Sequence, residues 1–231
     1  MCGRFTQQRP APELAELFDA EPLIEETGPR YNVAPTQGVI AVVRPPDDRR
    51  LLTIFRWGLI PPWAKDAKIG YRMINARAES VFTSPAFRSS IRRKRCLIPV
   101  DAFYEWRRRE GAPKQPYAIH RRDGASLALA GIWSAWKDPL SEEWLRSCSI
   151  VTTTPNELMA RIHDRMPVIL APQDWELWLD PQLDDVAQLR GLLTPAPAAE
   201  LEAYPISTLV NATRNDDAAL LERIPGEVLR A

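Results

Sequence analysis

Arg95-Cys96-Leu97-Ile98-Pro99-Val100-Asp101-Ala102-Phe103-Tyr104-Glu105-Trp106 reads as two strands meeting at an aspartate. Cys96–Val100 is a short apolar run, and Ala102–Trp106 alternates with a period of two. Pro99 has no N–H for a ladder, which argues against an unbroken central strand. The alternation puts Phe103 and Glu105 on one face, with Tyr104 and Trp106 on the other. If Phe103 faces the core, Glu105 faces it too, among aromatics, where a carboxyl group suits general acid/base work. The other reading is an edge-strand glutamate paired in solvent with the arginines that follow.

Similar runs continue outward in both directions. Gly38–Arg44 and Leu51–Trp57 are strand-like, joined by a turn at Pro45-Pro46-Asp47-Asp48. Tyr117–Arg121, Asp123-Gly124 and Leu127–Ser134 form the strongest hairpin signal. Cys148–Thr154 is a further strand. Helical patterns fall at Pro12–Asp19, Asn75–Phe82, Pro85–Arg92, Glu157–Ile162, Gln173–Asp180 and Asp184–Leu193, and the Pro/Ala-rich Leu193–Glu200 reads as a loop. Short strands in hairpin connections, with helices scattered among them, predict an α+β fold on a mainly antiparallel sheet. The 231 residues fit a single domain spanning 1–231.

The bulk properties exclude several classes. No apolar run reaches membrane-spanning length, and the start has no signal-peptide core, so no membrane is expected. Three cysteines make no disulfide framework, which favours a reducing cytosol. With two histidines in addition there is no zinc spacing, so neither metal nor cofactor is expected. Net charge is zero, yet residues 1–125 carry 22 Lys and Arg against 14 Asp and Glu. Much of that surplus lies in Arg88, Arg92, Arg93, Lys94 and Arg95, then Arg107, Arg108 and Arg109. A basic half suits a polyanion such as nucleic acid. A solvated surface is the plainer account.

Met1-Cys2 adds a chemical possibility. A small second residue favours methionine removal, which would leave Cys2 with a free α-amine beside its thiol. That amine titrates near ~7.7–8.0, against ~10.4 for lysine, so part of it is neutral and nucleophilic at pH 7. A 1,2-aminothiol condenses with an aldehyde: the amine makes an imine and the thiol closes a thiazolidine. The bland alternative is a cysteine on a frayed terminus.

Other candidates have two readings each. Asn75 in Asn75-Ala76-Arg77 is a ligand for a sugar, with Arg77 for its phosphate, or simply a helix N-cap. His163 in Ile162-His163-Asp164-Arg165-Met166-Pro167 is a proton shuttle or a helix C-cap. Trp57-Gly58-Leu59-Ile60-Pro61-Pro62-Trp63 is packed core or a wedge that stacks on single-strand bases. His120 reads as surface, and Cys96 and Cys148 as inert core thiols.

Taken in order, CGRF (2–5), YNVAPT (31–36), WGLIPPWAKD (57–66), INARAE (74–79), RCLIPVDAFYEW (95–106), IHDRMP (162–167) and VNATRNDD (210–217) resemble the SOS response-associated peptidase (SRAP) family. The resemblance spans nearly the whole chain. It implies a barrel-like β-sheet with short helices, and a protein that shields abasic sites in single-stranded DNA. Cys2 would link covalently to the ring-opened sugar, Asn75 would orient it, Glu105 would be general acid/base, and His163 would assist sugar opening or reversal. Arg4, Pro35, Trp63, Arg77, Thr152 and Arg165 would contact DNA. Ala64 stands where the family often has a second aromatic, which leaves the stacking wedge to Trp63. The implied setting is the cytosol, as a monomer, with the replication machinery as a further partner.

Three functions follow for comparison. Covalent capture, with at most weak lyase activity because ring closure consumes the imine, is the first. A cysteine or N-terminal-nucleophile peptidase acting through Cys2 is the second, weakened by the lack of a recognisable oxyanion hole. A non-catalytic single-strand binder is the third.

Overall fold

The computed structural model describes residues 2–25, 27–46 and 49–230. Met1, whose removal is expected above, and the turn residues Asp47 and Asp48 lie outside them. The first elements are β1 (Phe5–Gln7), α1 (Ala11–Phe18), β2 (Ala20–Pro22), β3 (Arg30–Val33), β4 (Gly38–Val43), β5 (Arg50–Trp57) and β6 (Asn75–Arg77). Next come α2 (Arg88–Arg93), β7 (Arg95–Val100), β8 (Ala102–Arg109), β9 (Ala112–Arg121), β10 (Leu127–Lys137) and β11 (Trp144–Thr153). The chain ends with α3 (Glu157–Ala160), β12 (Met166–Pro167), α4 (Trp175–Leu179), α5 (Val186–Gly191) and β13 (Leu201–Pro205).

The order β5-β4-β7-β10-β11 closes into a five-stranded barrel, because β11 also pairs with β5. That seam is parallel, with Ser147 opposite Arg56 and Cys148 opposite Trp57. The other four barrel pairings are antiparallel. Alternation sorts the side chains. Val39, Ala41, Phe55, Trp57, Cys96, Ile98, Leu129, Cys148 and Ile150 fill the interior. Ile40, Val42, Leu52, Leu97, Ala130 and Val151 face outward, against Leu14 and Phe18 of α1, Ile91 of α2, Trp178 of α4 and Leu189 of α5. Burial on both faces is why these strands read as apolar runs. Each fully buried large side chain contributes ~1.5–3 kcal/mol.

The interior is crowded. Gly131 of β10 sits opposite Cys96 of β7, and a Cβ on it would come within 2.6 Å of Cys96 Sγ. Gly58, at the end of β5, has φ +118° and leaves no room either, since a Cβ would lie 2.6 Å from the Gly70 carbonyl oxygen.

A second sheet, β13-β9-β8-β1-β3, packs over one end of the barrel interior. Phe5, Val33, Phe103, Ile119 and Leu201 belong to the same apolar cluster as the barrel lining, and the Phe5 ring centroid lies 4.8 Å from that of Trp57. The outer side of this sheet buries Tyr104 with Tyr204, Ile206 and Val210, and Trp106 packs against them. Phe103 and Tyr104 thus part as the alternation predicts.

Three expectations change. Pro99 sits within a continuous β7 between β4 and β10. The side chain of Gln7 completes the hydrogen bonding there: Nε2 donates to the Pro99 and Ile40 carbonyls at 2.8 and 3.0 Å, and Oε1 accepts from Ile40 N. The expected hairpin at Asp123-Gly124 is not one, because β9 pairs with β8 and β13 while β10 pairs with β7 and β11. The turn reverses the chain, but its two strands go to different sheets. Asn75–Phe82 is not helical: β6 lies parallel to β11, with Asn75 opposite Ile150, and pairing outweighs the helical composition.

The two charge halves also interleave rather than face apart. Arg92 and Arg93 pair with Asp184, Arg44 and Arg50 with Glu176, and Arg107 and Arg161 with Glu227. Arg95 is buried and donates to the carbonyls of Ile91, Arg92 and Trp178, tying the ends of α2 and α4 to the barrel. Burial lowers its guanidinium pKa to about 10. No described helix is long and apolar enough to cross a membrane.

Candidate functional site

Cys2 lies at the end of the barrel covered by the second sheet, fully buried in the cluster that holds Phe5, Trp57 and Phe103. β1 pairs antiparallel with β8, Phe5 opposite Phe103, and Tyr104 N donates to the Arg4 carbonyl at 2.9 Å. Continuing that register brings Glu105 to the Cys2-Gly3 end of the chain. Glu105 is 2 % exposed, on the same face as Phe103. Burial raises the Cys2 thiol pKa well above the usual range, and the Glu105 charge raises it further. Cys96 and Cys148, inside the barrel, are raised by burial as well.

Asn75 reaches the same place from β6. Its Nδ2 donates to the Cys2 carbonyl at 2.9 Å. Its Oδ1 is buried and accepts no hydrogen bond from any described residue. Buried acceptors are normally satisfied, so this oxygen has capacity for a donor from outside. The backbone is anchored alongside, with Trp57 Nε1 donating to the Ile74 carbonyl at 2.9 Å.

His163 follows α3, its N–H bonded to the Met159 carbonyl at 2.8 Å. Met159 and Ile162 belong to the Cys2 cluster. Nδ1 lies 3.0 Å from Arg165 N and 2.8 Å from Asp164 Oδ1. The neutral ring accepts from the Arg165 N–H, and the protonated ring donates to Asp164, so both states have a partner. The ring lines a cavity of about 690 Å³ with Trp106, Arg107, Arg108, Lys114 and Arg161. The arginine run after Glu105 signals these cations in the sequence. Their position beside His163 is visible only in the fold.

The remaining residues differ in how committed they are. Arg165 clamps both oxygens of Glu79 and donates to the Thr152 carbonyl at 2.6 Å, which holds the Glu79 carboxyl below its ordinary pKa. Thr152 is buried opposite Arg77 of β6. Arg77 is exposed, and its guanidinium makes no hydrogen bond to any described residue. Arg4 donates to Asn32 Oδ1 and the Val210 carbonyl, both at 2.9 Å, and to the Asn211 carbonyl at 3.3 Å. Asn32, which carries no such signal in isolation, donates to the same Val210 carbonyl and to those of Ala212 and Asn215. Asp216 accepts from Tyr31 N and Asn32 N. The YNVAPT and VNATRNDD stretches are therefore two halves of one clasp.

Trp63 is 58 % exposed, its Nε1 3.4 Å from the Pro85 carbonyl. Ala64 points the other way, packed with Ile60 and Trp136, so Trp63 alone presents a ring to solvent in this motif. Pro35 precedes Thr36, a β-branched residue at φ 76°, whose N–H donates to the Trp57 carbonyl at 2.8 Å. A β-branched residue in that region is strained and persists only where its surroundings fix it. Cys2, Asn75 and Glu105 converge directly, and His163 comes in through α3. Arg77, Thr152 and Arg165 form a second group, while Trp63 and Pro35 stand apart.

The fold is a closed barrel that seats Cys2 beside the Glu105 carboxyl and the Asn75 amide. The SOS response associated peptidase (SRAP) family matches residues 1–213, and the chain belongs to it. It is 46% identical over 224 residues to the abasic site processing protein YoaM of Bacillus subtilis, covering 96% of this chain and 98% of that one. It is 30% identical to YedK of Escherichia coli, an abasic site processing protein, covering 97% and 100%. A crystal structure of a Bacteroides thetaiotaomicron protein superposes with a TM-score of 0.87 at 30% identity, covering 97% of this chain and 100% of that one.

Proposed function

We propose that this chain processes abasic sites by capturing them covalently in single-stranded DNA. The observation that carries the reading is the meeting of Cys2, Asn75 and Glu105 from three strands distant in sequence. Once Met1 is removed, the Cys2 amine adds to the C1′ aldehyde of the ring-opened deoxyribose, and the resulting carbinolamine loses water to give an imine. Glu105 supplies the proton that leaves with the hydroxyl. That imine is the N-protonated iminium, so its nitrogen already carries the product's proton, and the Glu105 carboxylate takes back a proton from the thiol as sulfur adds to the carbon. A thiazolidine results, and no oxidant is needed.

The raised thiol pKa sets the order of events. A buried thiol held protonated is a poor first nucleophile, so the amine acts first and sulfur second. The same feature weighs against a thiol peptidase, which needs a ready thiolate. Asn75 Oδ1 accepts from a sugar hydroxyl, and His163 exchanges a proton with the sugar oxygen. Arg77, with Arg165 and Thr152 behind it, takes phosphate, as do the two of Arg4's five N–H donors that its clasp leaves over. Trp63 stacks on a base, and Pro35 lines the strand's path. The relatives' names support abasic-site processing, and the residues support its covalent form.

The test is incubation with a single-stranded oligonucleotide bearing one abasic site, followed by denaturing electrophoresis. The expected result is a slow-migrating adduct that Cys2→Ala lacks. Equal adduct from both proteins would sink the reading, as would peptide turnover lost on Cys2→Ser without any adduct.

A further inference from the structure

The barrel interior has a second end, which the chemistry above does not use. Following the inward-facing residues away from Cys2 leads along β5 from Trp57 through Phe55 and Thr53 to Leu51. Val43 at the end of β4, Lys94 just before β7, Trp133 within β10 and Arg146 within β11 meet there. These residues line an open cavity of about 570 Å³. Its size is that of ligand sites, and barrel mouths are places where such sites occur. Its apolar wall includes Phe55 and Trp133, whose rings stack at 5.4 Å and 23°.

The rim is cationic. Arg44, Arg93, Lys94 and Arg146 line it, and no acidic residue does among those described. Arg93 donates to Asp184 and the Pro181 carbonyl, and Arg44 pairs with Glu176. The Lys94 ammonium lies 5.3 Å from the centre of the Trp133 ring. Arg146 is exposed, and its guanidinium bonds to no described residue. The rim thus already holds carboxylates at its edge, and two of its cations, Lys94 and Arg146, meet no carboxylate among the described residues.

We propose that this mouth docks a short acidic segment of a partner protein, inserting one bulky apolar side chain against Phe55 and Trp133. The segment's carboxylates would lie on Arg146, Lys94 and Arg93. Charge complementarity selects an anionic occupant. The shape selects a peptide over a nucleic-acid strand. The cavity is one recess inside a barrel, with Phe55 buried and Trp133 partly so, whereas a strand needs a continuous groove with exposed stacking faces. The docking is independent of the lesion chemistry, so either can fail without the other.

The experiment is fluorescence anisotropy on the full chain with a labelled peptide of four aspartates, a leucine and a C-terminal phenylalanine. Saturable, salt-sensitive binding is expected. It should weaken ~10-fold in Arg146→Glu, a rim charge reversal, and disappear when serine replaces the phenylalanine and leucine. Arg146→Glu should leave the melting temperature and abasic-site capture unchanged. The proposal is overturned by absence of binding at concentrations on the order of 1 mM, or by equal binding of an all-aspartate peptide. Displacement of the peptide by a single-stranded oligonucleotide that itself loses affinity in Arg146→Glu would assign the mouth to nucleic acid instead. Uptake of decanoate without the peptide would assign it to small amphipathic acids.

Discussion

The two ends of the barrel interior share one apolar lining and differ in how they treat charge. At the covered end a carboxyl and a thiol are sealed beneath the second sheet, and the charged form of the thiol is suppressed. At the open end four cations line an apolar recess. Burial makes groups reactive only when something shares their proton; exposure makes them useful for attraction. The covered end is therefore read as chemistry, and the open end as docking.

The contrast breaks most completely at Cys2. Cys2→Ala should abolish the adduct that survives denaturation. The terminal amine would remain, so an imine trappable by borohydride should persist and strand cleavage should rise. A stable adduct in Cys2→Ala would erase the distinction between the two ends.

Glu105→Gln keeps the shape and removes the proton carrier. Adduct formation should slow ~10²-fold, a common cost for losing a general acid/base. The sign of the thiol effect runs opposite to the rate. Removing a negative charge beside Cys2 lowers its pKa, so iodoacetamide labelling of Cys2 at pH 8 should become faster. It should stay slower than for a solvent cysteine, because burial is the larger cause. Slower labelling would mean that Glu105 does not face the thiol.

Gly131→Ala probes the lining that both ends share. Its Cβ has no room against Cys96 Sγ, and overpacking of this kind costs ~1–3 kcal/mol. Chemical denaturation should show that loss, with a melting temperature lower by ~2–4 °C per kcal/mol. An unchanged midpoint would mean that the interior yields.

The smallest effect is expected at Arg77. Arg77→Ala should weaken binding to any single strand alike and reduce the salt slope by ~1. A change in sequence preference, with the slope unaltered, would contradict a phosphate role.

What the sequence disclosed follows a physical line. Alternation in residues 101–106 places Glu105 correctly beside Phe103, because a period of two survives whichever strand lies alongside. The strand expected at 117–121 and the one expected from Leu127 both form, yet their pairing with each other does not, because a turn sets direction and leaves the choice of neighbour to distant strands. Asn75 looks like a helix cap for the same reason: β11, its partner, lies some seventy residues away. Gln7, Asn32 and Arg146 draw no attention in isolation, since their importance lies in which carbonyls or cavity they meet. The split in charge between halves was legible as a number, but the fold spends much of it on ion pairs between those halves.

The Arg4 clasp bears on when the protein becomes competent during synthesis. Arg4 binds the carbonyl of Val210, 206 residues further on, and Asp216 secures the neighbouring strand. During translation Arg4 is released 206 residues ahead of Val210, and domains fold as units as they emerge. The stretch that carries Cys2 thus gains its last tethers only once residues 210–216 have been made.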